Sequence, residues 1–424
     1  MKEQTFTLIT GEQVHRLEHP SGLTMLVYPK AGYRSSYALF GTRYGSVDTA
    51  FVKDGERIEV PAGIAHYLEH KLFENEDCDA FQRYAETGAS ANAFTSFDMT
   101  AYLFGCADNF EASLEILLDF VQKPYFTKET VQKEQGIIGQ EIRMCDDSPD
   151  RRVLFNLLRT MYETHPVRVD IAGTVESISH ITAELLYDCY YTFYNLHNMV
   201  LCVCGNVDVE TVKRVADRVL IPAKPLSLDM PLVQELKTVR TPYAEETMPV
   251  AAPLFYLGYK LPVDGMYLTE TELVASELIV DLLTAPSSEL YTSMMRDGLI
   301  NDSYDGELFE GRSFAMVLIG GENNDPLAVQ QAIRRELSRL QQTGIDSDRF
   351  EELRASLYGR SLRRYNSVEG AAMAMMDDHF HGRTPFATEA AIASLTAEDV
   401  NRLVREWMIP EHEALSVIKA KEDN

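Results

Sequence analysis

Residues 181–208, ITAELLYDCYYTFYNLHNMVLCVCGNVD, decide how this chain is read. Thr182 stands where an N-cap would, and Ala183 opens a run with apolar residues at helical spacing. A short break follows, and VLCVCG then reads as an apolar strand. Residues 395–420, LTAEDVNRLVREWMIPEHEALSVIKA, repeat that order without a gap: Thr-Ala-Glu, helix, break, strand, with Thr396 as the N-cap. A shared order of elements at two distant places marks an internal repeat.

Upstream of each copy a second correspondence appears. Residues 100–142, from TAYLFGCADNF to GQEI, read as strand, turn, helix, loop and long helix, and so do residues 313–362, from SFAMVLIGGENND to GRSL. Asn109–Gln122 and Pro326–Gln341 carry the helical spacing, while GLTMLVY and SSYALFG alternate as strands do. Between the halves, residues 221–253 hold Pro222, Pro225, Pro231, Pro242 and Pro249, which deny this stretch a long helix. The expected division is an N-terminal domain over 1–224, a linker over 225–245 and a C-terminal domain over 246–424. The expected fold class is α+β, with two related domains that are each an antiparallel sheet covered by helices.

Composition narrows the function. The 424 residues are 45% hydrophobic and 25% charged, as in folded globular proteins, and the net charge is −26. Such an acidic balance excludes general nucleic-acid binding and adsorption to anionic membranes, both of which need clustered Lys and Arg. It favours solubility and admits a basic substrate. The six cysteines form no CxxC pair and read as buried thiols. No apolar run approaches the length of a membrane span, and the first residues lack the apolar core of a signal peptide, so a cytoplasmic protein is expected.

Chemistry concentrates in residues 61–74, PAGIAHYLEHKLFE. His66, Glu69 and His70 fall at i, i+3 and i+4, on one face of a helix. Two imidazoles one turn apart can share Zn²⁺, and a Glu between them can take a proton from a water that the metal acidifies. H-x-x-E-H is the inverzincin order. In VQKEQGIIGQEIRM, Glu134 and Glu141 lie seven residues apart on one face of a second helix. Glu141 can supply a third ligand, and Glu134 can hydrogen-bond a ligating His. Between the helices, GASANAF leads into the strand TAYLF, an edge on which an extended peptide can pair.

HYLEH at 66–70, NAFT at 92–95 and the pair Glu134/Glu141 together resemble the insulinase–pitrilysin family of inverzincin metallopeptidases, which includes the mitochondrial processing peptidase. THPVRVDIAGTVESISHIT and YNLHNMVLCVCGNVD extend the resemblance through the N-terminal half, and it continues more faintly to about residue 420. The resemblance implies one zinc ion per chain on His66, His70 and Glu141, with Glu69 as general base and Glu134 as supporting acid. It implies that Asn92, Ala93 and Phe94 form the edge against bound peptide. Glu141 follows His70 by 71 residues, slightly fewer than is usual in the family. It further implies a non-catalytic second domain, in which Arg296 and Tyr304, eight residues apart, stand where the family places an Arg and a Tyr on substrate.

The expected function is therefore zinc-dependent endopeptidase action on peptides or small unfolded polypeptides. Relatives of full length enclose a chamber with four such domains, so two domains imply half of a clamshell. A dimer would close it, with an identical chain or with a sibling that has lost its zinc site. The alternative is a non-catalytic structural or chaperone-like subunit of a larger complex. His379 and His381 in DDHFHG are expected in an exposed turn, and Asp146, Asp147 and Asp150 in a solvated one.

Overall fold

Strand Met199–Gly205 is buried along its whole length, and its alternate residues enter different cores. Met199, Leu201 and Val203 join one apolar cluster, while Val200, Cys202 and Cys204 join another. A strand buried on both faces needs cover on both, and that requirement organises the fold. The computed structural model describes the chain apart from residues 9, 54, 77, 226, 227, 229, 231, 232 and 422–424, so Pro231 of the expected linker lies outside the described residues.

The N-terminal strands are β1 (Lys2–Thr7), β2 (Gln13–Glu18), β3 (Thr24–Pro29), β4 (Ser36–Thr42), β5 (Ala50–Lys53), β6 (Glu56–Glu59), β7 (Ser90–Thr95), β8 (Thr100–Cys106) and β9 (Met199–Gly205). Seven of them form one sheet in the order β1-β2-β3-β9-β4-β8-β7, and β5 and β6 pair separately. The later strands are β10 (Tyr243–Met248), β11 (Leu254–Lys260), β12 (Asp305–Gly311), β13 (Phe314–Glu322) and β14 (Glu413–Ala420). They form a sheet in the order β10-β14-β11-β13-β12. The sequence β3-β9-β4-β8-β7 of the first sheet and the whole second sheet have the same order and the same senses. In each, the first pair is parallel and the other three pairs are antiparallel. The repeat read from the sequence is thus a repeat of sheets, and each sheet is mixed rather than wholly antiparallel.

Both Thr residues cap their helices as expected: Thr182 accepts from the Leu185 amide and Thr396 from that of Asp399. The compact units, however, depart from the contiguous division read from the sequence. One comprises Met1–Ile142, Asp170–Pro231 and Leu362–Phe386, and the other Arg143–Val169, Leu232–Ser361 and Ala387–Asn424. In each repeat, the third helix after the β-hairpin is built into the other unit. Helix Pro149–Met161 packs on β10, β11 and β14, and helix Val368–Phe380 packs on β4 and β9. These helices cover the second faces of the sheets. In the first unit, Ala371, Ala372, Met375, Met376 and Phe380 complete the cluster that holds Cys202 and Cys204.

A glycine admits each helix. A Cβ on Gly41 of β4 would lie 2.6 Å from Met376 Sδ, and one on Gly258 of β11 would lie 2.7 Å from Met161 Sδ. Tertiary packing, not local propensity, selects both glycines. Among the described residues the six cysteines are free, and no helix is long and apolar enough to cross a membrane.

Candidate metal centre and active site

The helix carrying His66, Glu69 and His70 is α1 (Ile64–Leu72), and its start is fixed by close backbone contact. Gly63 has φ 92, and a Cβ there would meet the Ala172 carbonyl oxygen at 2.4 Å. Gly173, with φ 74, stands in the same relation to the Ala62 carbonyl, which also accepts from Ser177 Oγ at 2.8 Å. Glycine is needed at both positions because the two turns touch back to back. DIAGT, read only as part of a resemblance, therefore seats the helix that carries the histidines.

The remaining helices near the site are α2 (Ala80–Thr87), α3 (Phe110–Val121) and α4 (Lys128–Asp146). The Tyr67 hydroxyl donates to the Val131 carbonyl and ties α1 to α4. His70 Nδ1–H donates to Glu134 Oε1 at 3.0 Å, which turns Nε2 toward Glu141. His66 Nε2 and His70 Nε2 each lie 3.6 Å from an oxygen of Glu141. One ligand atom from each of His66, His70 and Glu141 falls within 4.8 Å of the others. Atoms about 2.0–2.2 Å from a tetrahedral zinc stand roughly 3.3–3.6 Å apart. The spacing and the two-imidazole, one-carboxylate donor set fit such an ion.

Charge in the cluster favours a cation. Burial alone would lower the His70 pKa, but the Glu134 hydrogen bond and the charges of Glu69, Glu134 and Glu141 raise it. The hydrogen bond from His70 holds Glu134 below the usual carboxylate range. Glu69 is 8% exposed, and its burial raises its pKa against the opposing pull of a hydrogen bond from Thr95 Oγ1 at 2.7 Å. Beside the cluster opens a cavity of about 620 Å³, lined by Glu69, His70, Glu134, Asn92 and Ala93 together with Phe73, Phe81 and Ile137. Its wall also carries Glu74, Glu76, Asp79 and Lys133.

Asn92, Ala93 and Phe94 all lie on β7, the edge of the first sheet. The Ala93 amide donates to Asn92 Oδ1 at 2.9 Å, so the Asn side chain occupies a hydrogen bond that a paired strand would claim. Phe94 does not line the cavity; its ring packs against the cluster that holds Cys202 and Cys204. The structure corrects two other readings. Tyr304 is 4% exposed, within the second unit's core, and its hydroxyl donates to the Leu283 carbonyl at 3.1 Å, so its side chain has no face for a peptide. The ring joins the apolar cluster of that core although Ser303 and Asp305 flank it in sequence. His381 is not in an exposed turn: its side chain is 5% exposed, with Asp377 Oδ1 at 3.1 Å and Asp98 Oδ2 at 3.5 Å. Arg296 stays at the surface, its side chain 73% exposed and 3.6 Å from Asp297. Asp146, Asp147 and Asp150 are exposed, as expected of a solvated stretch.

Sequence reasoning missed Thr95, the buried Lys71 that pairs with Glu74, and the clamp formed by His381 and Asp98. Thr95 alone carried a signal, because it alternates with Ala91 and Ala93 along a strand whose helix-covered face calls for small residues.

The chain matches the family described as insulinase (peptidase family M16) over residues 49–175, and the peptidase M16 inactive domain over residues 180–357. The uncharacterized zinc protease YmfH of Bacillus subtilis is 40% identical over 406 residues, 93% of this chain and 94% of that protein. A solved M16-like peptidase from Alicyclobacillus acidocaldarius is similar with a TM-score of 0.92 and 33% identity, covering 98% of this chain and 100% of that one. Pitrilysin, with a TM-score of 0.79 and 18% identity, shares the fold over 99% of this chain but 47% of its own.

Proposed function

Since the chain belongs to the insulinase family (peptidase family M16), we propose that it is a zinc-dependent endopeptidase acting on peptides or short unfolded segments. The observation that carries this reading is the convergence of His66, His70 and Glu141 beside the buried carboxylate of Glu69. His66, His70 and Glu141 would hold zinc, which when bound would supply Lewis acidity toward a water and the scissile carbonyl.

The chain's own groups do the rest. Glu69 takes a proton from the attacking water and delivers it to the leaving amine, and a pKa raised by burial suits both transfers. Glu134 fixes the His70 ring so that Nε2 faces inward. The β7 edge at Asn92 and Ala93 receives the peptide in extended form, displacing the Asn92 side chain from the Ala93 amide. Glu74, Glu76 and Asp79 on the cavity wall favour basic segments, and Arg296 remains a candidate contact for the peptide.

Coverage of 47% of pitrilysin supports a half-length member whose partner, a second copy or a sibling without the zinc site, completes a chamber. Turnover of a quenched peptide library by wild type and Glu69→Gln tests the reading. Wild type should cleave, and the variant should lose at least about 100-fold in kcat. Equal rates would reject the peptidase and leave the non-catalytic subunit as the reading that stands.

A further inference from the structure

Glu69 is a proton carrier with two carboxylate oxygens and almost no exposure, and a carboxylate in that setting must be aimed. Rotation about its last torsion is soft, so the side chain alone does not choose which oxygen meets a water. One oxygen is already engaged. Thr95 Oγ1 donates to Glu69 Oε2 at 2.7 Å, and Oε1 takes no part in that bond.

The position of Thr95 follows from the sheet. Along β7, Ala91 and Ala93 turn toward the helices, and Thr95 continues that face two residues on. Helix α1 packs against β7, and the small alanines allow its close approach. Thr95 is β-branched, so its hydroxyl is stiffly held once its backbone is fixed. The backbone is fixed: Ser46 N donates to Ser96 O at 3.1 Å, Val47 N to Phe97 O at 2.8 Å, and Asp98 sits against His381. Across the ladder Thr95 pairs with Thr100, whose hydroxyl donates to the Tyr44 carbonyl at 2.8 Å and lies 3.4 Å from Thr95 Oγ1, a longer contact than the 2.7 Å bond from Thr95 to Glu69.

We propose that Thr95 is the positioning residue of the general base. It holds Oε2 of Glu69 so that Oε1 is presented to water. Because Thr95 ends the strand whose earlier residues receive the peptide, one rigid edge registers both the scissile bond and the base. This inference rests on the peptidase reading above.

The test compares Thr95→Val, which keeps the shape and removes the hydroxyl, with Thr95→Ser, which keeps the hydroxyl, each in wild-type and Glu69→Gln backgrounds. Steady-state kcat and KM on a quenched peptide are measured along with zinc content and Tm, and Thr95→Ala serves if the valine misfits. Thr95→Val should lower kcat about 10- to 100-fold with KM within about twofold and with zinc and Tm retained. Thr95→Ser should keep most of the activity, and Thr95→Val should cost nothing further once Glu69 is Gln. Wild-type kcat in Thr95→Val, or an equal loss in Thr95→Ser, would overturn the role of the hydroxyl while Glu69→Gln still shows the enzyme to be a peptidase. If Glu69→Gln turned over like wild type, the peptidase reading itself would fail, and the positioning role with it.

Discussion

Replacing His381 with Gln should remove a pH-dependent clamp from the hairpin that carries Thr95. Burial alone would lower the pKa of this imidazole, but Asp377 and Asp98 outweigh it and lift it from 6.5 to about 10. A group whose pKa is raised on folding stabilises the fold fully below its unfolded pKa and loses that contribution as pH climbs through the folded one. The window is therefore about pH 6.5 to 10, and stability falls upward through it. At about 1.4 kcal/mol per tenfold change in proton affinity, the ceiling is roughly 5 kcal/mol. The Asp377 side chain is 49% exposed and screened by water, which brings the expected contribution to about 2–3 kcal/mol. The single tryptophan, Trp407, lies in the other unit and does not report here. Hydrogen exchange of the β8 amides, corrected for intrinsic rates, does. Wild type should lose about 2–3 kcal/mol of protection between pH 6.5 and 10, whereas His381→Gln should start low and stay flat. Equal wild-type protection at both ends, or a parallel fall in the variant, would refute the reasoning.

Other outcomes follow from the same structure. Gly41→Ala and Gly258→Ala each push a methyl group onto a methionine sulfur and should cost about 1–3 kcal/mol by thermal unfolding; the sulfur is the movable end of a long side chain, so the low end of that range is expected. Glu134→Gln should weaken zinc affinity about 10- to 100-fold in chelator competition while leaving a folded protein. If the acidic cavity wall selects basic peptides, Lys- and Arg-rich substrates should be cleaved faster than acidic ones, and raising the salt concentration should narrow the gap.

What the sequence disclosed was local. His66, Glu69 and His70 sit within two turns of one helix, and Glu134 and Glu141 within three of another, so periodicity alone put them on common faces. The repeat was legible because Thr182 and Thr396 cap equivalent helices before equivalent strands. What stayed hidden depends on contacts far apart in sequence. Helices Pro149–Met161 and Val368–Phe380 look like continuations of their own halves, and only the second faces of the sheets reveal where they belong. Gly41 and Gly258 carry no sign that each faces a methionine distant in sequence, Met376 and Met161. Tyr304 stood one residue off the family's seven-residue spacing from its Arg, and spacing says nothing about burial; its hydroxyl found a carbonyl in the core. His381 looked exposed because its neighbours are polar and glycine follows; Asp98, distant in sequence, encloses it.

The central claim is that His66, His70 and Glu141 form the protein part of a zinc site, and X-ray absorption at the zinc edge tests it most directly. The account predicts one zinc per chain with two imidazole nitrogens at about 2.0–2.1 Å and carboxylate or water oxygens at about 2.0–2.2 Å. Sulfur at about 2.3 Å, or a His66→Ala protein that keeps the wild-type spectrum, would contradict it.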